Sequence, residues 1–370
     1  MNLINLTKKI TAFNTINPPG QERACARYLG GLLEDAGFTT DYYEFAEFRT
    51  TLIARLEGSS DKLPICFTGH IDTVPLGATT WLKDPLNGET DGDKLYGRGV
   101  SDMKAGVAAM VSMAINLAGR STPRAGLTLV LTAGEETCCE GAYYVAQQGV
   151  LGEAGAIVVG EPTSNYPMIA HKGSVRFLVT TRGKTAHASM PELGDNAIHK
   201  AADAIKRLQT FDFQKAPHAL LGSPTLNIGN ITGGQNINSV PDITTMGIDI
   251  RLLPDQTPDD IQSRIQTALG EEAEVELIEQ ARSIATSLDD PWIQRVFDIM
   301  EPTLGEKVEP RGVAYFTDAS ALTPAFGHPP TVILGPGEAS QAHQTDEYCF
   351  MSSIEQAAEA YMDIARKWCD

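Results

Sequence analysis

Residues 126–137 read GLTLVLTAGEET, an apolar run that stops at Gly134 and delivers two adjacent glutamates, Glu135 and Glu136. A strand that is apolar almost throughout, and not merely at alternate positions, is covered on both faces, which is the habit of parallel sheets. Other runs share this texture: Pro64–Thr68 (PICFT), Ala156–Gly160 (AIVVG) and Pro330–Leu334, with a further short strand expected at Val308–Pro310. Helical spacing separates them at Leu3–Thr15, Gln21–Ala36, Met103–Ala118, Gly141–Gln148 and Ile354–Lys367, while Phe38–Phe45 and Thr51–Leu56 are β-rich. This alternation predicts an α/β fold, a mostly parallel sheet with helices on both faces.

The texture changes near Ser174. SVRFLVTTRG alternates as a half-exposed strand does, and Asp195–Leu208 has helical spacing. TLNIGNITGG, ITTMGIDIRLLP, a helix over Pro258–Leu269 and a strand over Ala273–Glu279 follow. Strand, helix, two strands, helix, strand is the order of an α+β layer with a small antiparallel sheet. The expected organisation is therefore one α/β domain, residues 1–173 with 285–370, interrupted by an inserted α+β domain over 174–284.

The formal net charge of −18 over 370 residues argues against nucleic acid or an anionic membrane as partner, since both call for a basic face. No apolar stretch is long enough for a membrane span and the N-terminal residues do not read as a signal peptide, so a cytoplasmic protein is expected. The six cysteines form no CxxC pair, so reduced thiols are expected; the adjacent Cys138 and Cys139 carry no motif.

In an open parallel sheet, ligands gather at the carboxyl ends of the strands. PICFTG is followed there by His70 and Asp72, GLTLVLTAG by Glu135 and Glu136, AIVVG by Glu161, and TVILGPG by a loop holding His343. Asp102 lies in YGRGVSDMKAG (96–106), where Ser101 or Asp102 can also cap a helix starting at Met103. Each residue alone reads as an ordinary cap, core histidine or solvated loop acid. Together, two histidines and several carboxylates at one edge repel each other unless cations neutralise them. Imidazole with carboxylate suits zinc, with cobalt or manganese as substitutes, and so many ligands serve two metals if one carboxylate bridges. Asp102 is short enough to bridge, Asp72 can accept the other N–H of His70, and one of Glu135 and Glu136 can bind metal while the other handles protons.

These residues sit in blocks that resemble the zinc-dependent acetylornithine deacetylase and succinyl-diaminopimelate desuccinylase family. The blocks are TGHIDTVP (68–75), YGRGVSDMKAG, TAGEET (132–137), VGEPT (159–163), TAHASMPELGDNAI (185–198) and GPGEASQAHQTDEY (335–348), in that family's order. The resemblance implies two Zn²⁺, one held by His70, Asp102 and Glu161 and the other by Asp102, Glu136 and His343, with Glu135 as general base. It also implies that the insert is a dimerisation domain and that His187 acts across a homodimer in the partner's active site. Asn238 and Arg251 would then grip a substrate carboxylate.

Amide hydrolysis of an N-acyl amino acid follows from the resemblance. N-Acetylornithine comes first, on the likeness of Ala170-His171-Lys172-Gly173 and neighbouring blocks, which brings Lys172 into the substrate-binding set. Other N-acyl amino acids, succinyl-diaminopimelate and dipeptides come second, and a non-catalytic binding protein on the same fold is the reading from another class. Where that family carries a glutamate, this chain has aspartate in Tyr315-Phe316-Thr317-Asp318. Thr317 and Asp318 are thus candidates for contact with a cationic side chain, or Asp318 supports the loop.

Overall fold

The computed structural model describes residues 2–120 and 123–369. The chain forms two compact units, Met1–Ala170 with Ala285–Gly312 and Thr317–Asp370 in one, and His171–Ile284 with Val313–Phe316 in the other. The short return of 313–316 to the second unit has no counterpart in the sequence pattern.

The first unit is built on a six-stranded sheet, in the order Thr39–Ala46, Arg49–Leu56, Leu127–Thr132, Ile65–His70, Ala156–Val159 and Thr331–Ile333. The first two pairings are antiparallel and the remaining three parallel. Every residue of Leu127–Thr132, Ile65–His70 and Ala156–Val159 is buried. Since successive side chains point to opposite faces, both faces of the sheet are covered. The helix Ala105–Ala118 is buried over most of its length, as its Ala, Val and Met composition demands, and it packs on the closing helix Met351–Cys369. Its approach to the sheet depends on Gly106, where a Cβ would lie 2.2 Å from the Gly160 carbonyl oxygen.

Val308–Pro310 is not a strand; the pairing segment is Gly312–Val313. The run contains Glu309 and Pro310, and proline has no N–H for a ladder. The helix expected from Met103 starts at Ala105, and Asp102 lies before it with non-helical φ −120° and ψ 91°, so neither Ser101 nor Asp102 caps it by a side-chain bond. Among the described residues, the α-helices Pro291–Leu304 and Ala319–Ala325 go beyond those that the sequence spacing predicts. The first carries a plain start signal, Asp290 accepting from the Trp292 and Ile293 amides with Pro291 in the first turn.

The second unit is a four-stranded antiparallel sheet in the order Thr225–Gly233, Ile243–Leu252, Gly173–Arg182, Ala273–Ala281. Burial alternates along Ile243–Leu252. Met246, Ile248, Ile250 and Leu252 join Val175, Phe177 and Val179 in a core closed by Ala201, Leu208, Ile261 and Ile265 of the helices Ala197–Gln209 and Pro258–Leu269. Among the described residues, no helix of either unit is long and apolar enough to cross a membrane.

Candidate metal centre

Parallel register brings the strand ends of the first unit side by side. His70 closes its strand opposite Thr132, and Thr68 pairs with Val159. The loops that follow therefore place His70, Glu135, Glu136 and Glu161 along one edge. Asp102 reaches it from the loop before Ala105–Ala118, and His343 from the loop before Tyr348–Phe350.

Asp102 is central. Its Oδ1 lies 3.1 Å from His70 Nε2 and its Oδ2 3.5 Å from His343 Nε2, so the two carboxylate oxygens face two different imidazoles. Glu161 Oε2 is 3.9 Å from His70 Nε2, and Glu136 Oε2 is 3.1 Å from His343 Nε2. Ligand atoms of His70, Glu135 and Glu161 lie within 4.8 Å of one another, as do those of His70, Asp102 and Glu136. His70 is buried, whereas the His343 side chain is 54% exposed, which leaves one side of the centre open.

Charge explains why this cluster is unsatisfied by itself. Glu135 and Glu161 are pushed well above the usual carboxylate range, first by burial, and Glu135 next by the charge of Glu161. Burial and then Asp102 raise Glu136. Burial also opposes the charge of Asp102, but hydrogen bonds from His343 and His70 outweigh it and hold that carboxyl low. His70 is raised well above its ordinary value against its own burial by Asp102 and Asp72, and Asp102 and Glu136 push His343 up to about 10. Four carboxyl groups, Asp102, Glu135, Glu136 and Glu161, thus face only two imidazoles. Glu136 Oε1 is buried with no hydrogen-bond partner among the described residues. A carboxylate facing two ways, an orphaned buried oxygen and an imidazole–carboxylate donor set fit a pair of divalent cations.

Asp72 does more than the sequence suggested. His70 Nδ1 lies 3.1 Å from the Asp72 main-chain oxygen and 3.5 Å from Oδ1. The Asp72 carboxylate accepts from the Glu135 and Glu136 amides at 3.1 and 3.3 Å, so it also holds the backbone that carries both glutamates. Asn17 Nδ2 donates to Asp72 Oδ2 and to Thr137 Oγ1, each at 2.9 Å. Asn17 was missed, because an asparagine before Pro-Pro-Gly reads as a helix breaker and nothing local links it to residues 72 and 137. Thr317 and Asp318 are buried. Asp318 accepts from Thr132 Oγ1, and burial pushes its carboxyl up to about 6.

The other candidates lie in the second unit. His187 is exposed, with Nδ1 2.7 Å from Ser189 Oγ, and its segment pairs with that of Asn238 through the Ala188 amide and the Asn238 carbonyl at 3.0 Å. Arg251 is bonded to Asp249 on its own strand at 2.8 Å and lies over the Phe316 ring. Lys172 is buried, donates to the Ser223 carbonyl, and is lowered by burial and then by the neighbouring Arg251 charge. The structure thus joins His187 to Asn238, and Lys172 to Arg251. Asn238 precedes the strand Ile243–Leu252, and Arg251 lies near the strand's far end, about 26 Å from Ile243 at the rise of a strand.

A mostly parallel sheet with a histidine–carboxylate cluster at its carboxyl edge defines the class, a hydrolase of the metallopeptidase type. The chain belongs to peptidase family M20/M25/M40, whose model matches residues 66–367. It is 33% identical to an acetylornithine deacetylase of Proteus mirabilis, covering 94% of this chain and 90% of that protein. It is 28% identical to a probable succinyl-diaminopimelate desuccinylase of Staphylococcus epidermidis, covering 99% and 98%. In fold it is similar to an M20 family metallo-carboxypeptidase from Sulfolobus solfataricus, with a TM-score of 0.84 at 17% identity over 100% of this chain and 99% of that one.

Proposed function

We propose that this protein is a di-metal deacylase of N-acyl amino acids, with N-acetylornithine as its first substrate. The observation that carries the reading is the two-way carboxylate of Asp102 between His70 and His343. His70, Asp102 and Glu161 would hold one divalent cation, and Asp102, Glu136 and His343 the other; zinc is proposed, with cobalt or manganese able to replace it. Cations in such a centre supply Lewis acidity to an amide carbonyl and acidify water.

The chain's own groups do the rest. Glu135 is buried on a backbone pinned by Asp72, so its carboxylate is held at one place while it takes a proton from the attacking water and returns it to the leaving amine. His187 of the partner subunit would donate to the tetrahedral oxyanion. The separation within the second unit supports a homodimer. An N-acyl amino acid is about two residues long, roughly 7 Å, and cannot span the distance between Asn238 and Arg251 in one chain. If both grip the substrate, one of the two pairs comes from another subunit.

Desuccinylation is the second reading, favoured by one observation. Lys172 is buried against a neutral carbonyl and beside Arg251, two cations that suit a substrate with a second carboxylate. The deciding experiment is metal analysis together with an amide panel of acetylornithine, succinyl-diaminopimelate, other N-acyl amino acids and dipeptides. Two metals per chain and fastest release of acetate from acetylornithine are expected; no metal and no hydrolysis would leave a binding protein on the same fold. Glu135→Gln should keep both metals and lower kcat about 10²- to 10⁴-fold, the usual worth of a general base.

A further inference from the structure

Glu347 lies four residues beyond His343 in QAHQTDEY, and it is completely buried although acidic. A buried carboxylate is costly unless charge and hydrogen bonds compensate it. Here its donors all come from one short segment. Oε1 accepts from the Ser101 and Asp102 amides at 2.7 and 3.1 Å, and Oε2 from the Gly99 amide and Arg98 Nη1, both at 2.8 Å.

The segment around Asp102 needs such a partner. Asp102 has non-helical dihedrals and precedes the helix, so no helical or strand ladder serves these amides, and buried amides are rarely left unpaired. Further ties join the same two loops. The Gly97 amide donates to the Glu347 carbonyl at 3.0 Å, and Ser101 Oγ and Glu338 exchange bonds of 2.9 and 3.1 Å. The loop that carries His343 and the loop that carries Asp102 are thus one hydrogen-bonded body with the Glu347 carboxylate at its middle.

We infer that Glu347 is the positioning residue of the bridging carboxylate: it fixes Asp102 against His343 and, through Asp102, sets both cation positions. The inference rests on the di-metal reading. A residue that merely stabilised the fold would change the melting temperature and leave the metal environment alone. Glu347→Gln separates these roles, because the amide turns one acceptor into a donor and faces at least one main-chain N–H with an N–H of its own. Glu347→Asp keeps charge and acceptors but withdraws them by one methylene.

The test is a Co²⁺ titration of the metal-free full chain and both variants, followed by visible absorption and binding heat, below each protein's unfolding temperature. Wild type is expected to take two equivalents. Glu347→Gln should bind both about 10- to 100-fold more weakly with shifted absorption bands, the usual effect of losing a residue that orients a ligand, and Glu347→Asp should fall between. Wild-type affinities and spectra in Glu347→Gln, whatever its melting temperature, would overturn the inference and leave the di-metal reading standing. Should Glu347→Gln not fold, the same result in Glu347→Asp would overturn it equally. A wild-type chain that takes up no cobalt would remove the di-metal reading, and this inference with it.

Discussion

Two charged regions of this molecule use the same residue types to opposite ends. On the outer face of the second unit's sheet, Arg176 bonds Asp249 at 3.1 Å and Glu279 at 2.5 Å, and Arg251 bonds Asp249 at 2.8 Å. Cations and anions are matched there, and water screens what is left. At the carboxyl edge of the first unit's sheet, Asp102, Glu135, Glu136 and Glu161 gather around two histidines, almost wholly out of water apart from the exposed His343. The first region is complete as a protein surface. In the second, burial raises Glu135, Glu136 and Glu161 while the two histidines hold Asp102 low, an unmatched set that cations would balance. Matching decides the difference, not composition.

Removing the residue that faces both ways breaks this contrast most severely. Asp102→Ala should lose both metals together and with them all measurable amide hydrolysis, if the carboxylate that faces His70 and His343 bridges as proposed. His343→Ala should mainly weaken the cation it shares with Glu136, because His70 and Glu161 remain. Metal content by elemental analysis distinguishes the two. If Asp102→Ala kept one full equivalent at wild-type affinity, Asp102 would not be a bridge.

Much of the fold was legible because the sheet is covered on both faces. Apolar runs such as GLTLVLTA need no partner to be recognised, and the position of His70, Glu135 and Glu161 just beyond such runs follows from counting along them. The alternating strands of the second unit were legible for the complementary reason, one face in the core and one in water. What could not be read was pairing across the chain. Val308–Pro310 looked like a strand because Val308 is apolar, yet Pro310 cannot donate. Asp102 looked like a cap because it precedes a helix, yet its amide is held by Glu347, a residue 245 positions away. Asn17 and Glu347 were invisible as site residues for the same reason, since each acts through partners distant in sequence.

Asn17 offers a smaller break. It is buried, and its side-chain amide ties Asp72 to Thr137, the residue after the two glutamates. Asn17→Ala takes a donor from a carboxylate that is itself completely buried and that holds the backbone of Glu135 and Glu136. The loss should appear as a 10- to 100-fold fall, roughly, in kcat or metal affinity with the chain still folded. A wild-type rate and metal affinity would show that Asp72 is held well enough by the main-chain amides alone.

The smallest effect belongs to the matched surface, and it sharpens the comparison from the other side. Arg176 has a side chain 38% exposed, and its partners Asp249 and Glu279 are 24% and 34% exposed. Exposed pairs of this kind are worth about 0–1 kcal/mol, because water already solvates each charge and the long side chains lose rotamer freedom when they pair. Arg176→Met keeps most of the apolar stem that lies on the sheet and deletes only the charge, so packing changes little. Urea unfolding should place it within about 1 kcal/mol of wild type, with a difference that shrinks as salt is added. Asp249 retains Arg251, and Glu279, 34% exposed, is left to water. A loss of several kcal/mol, insensitive to salt, would mean that this face is not an ordinary wet surface but is buried in the assembled protein, and the contrast between the two regions would have to be redrawn around an interface.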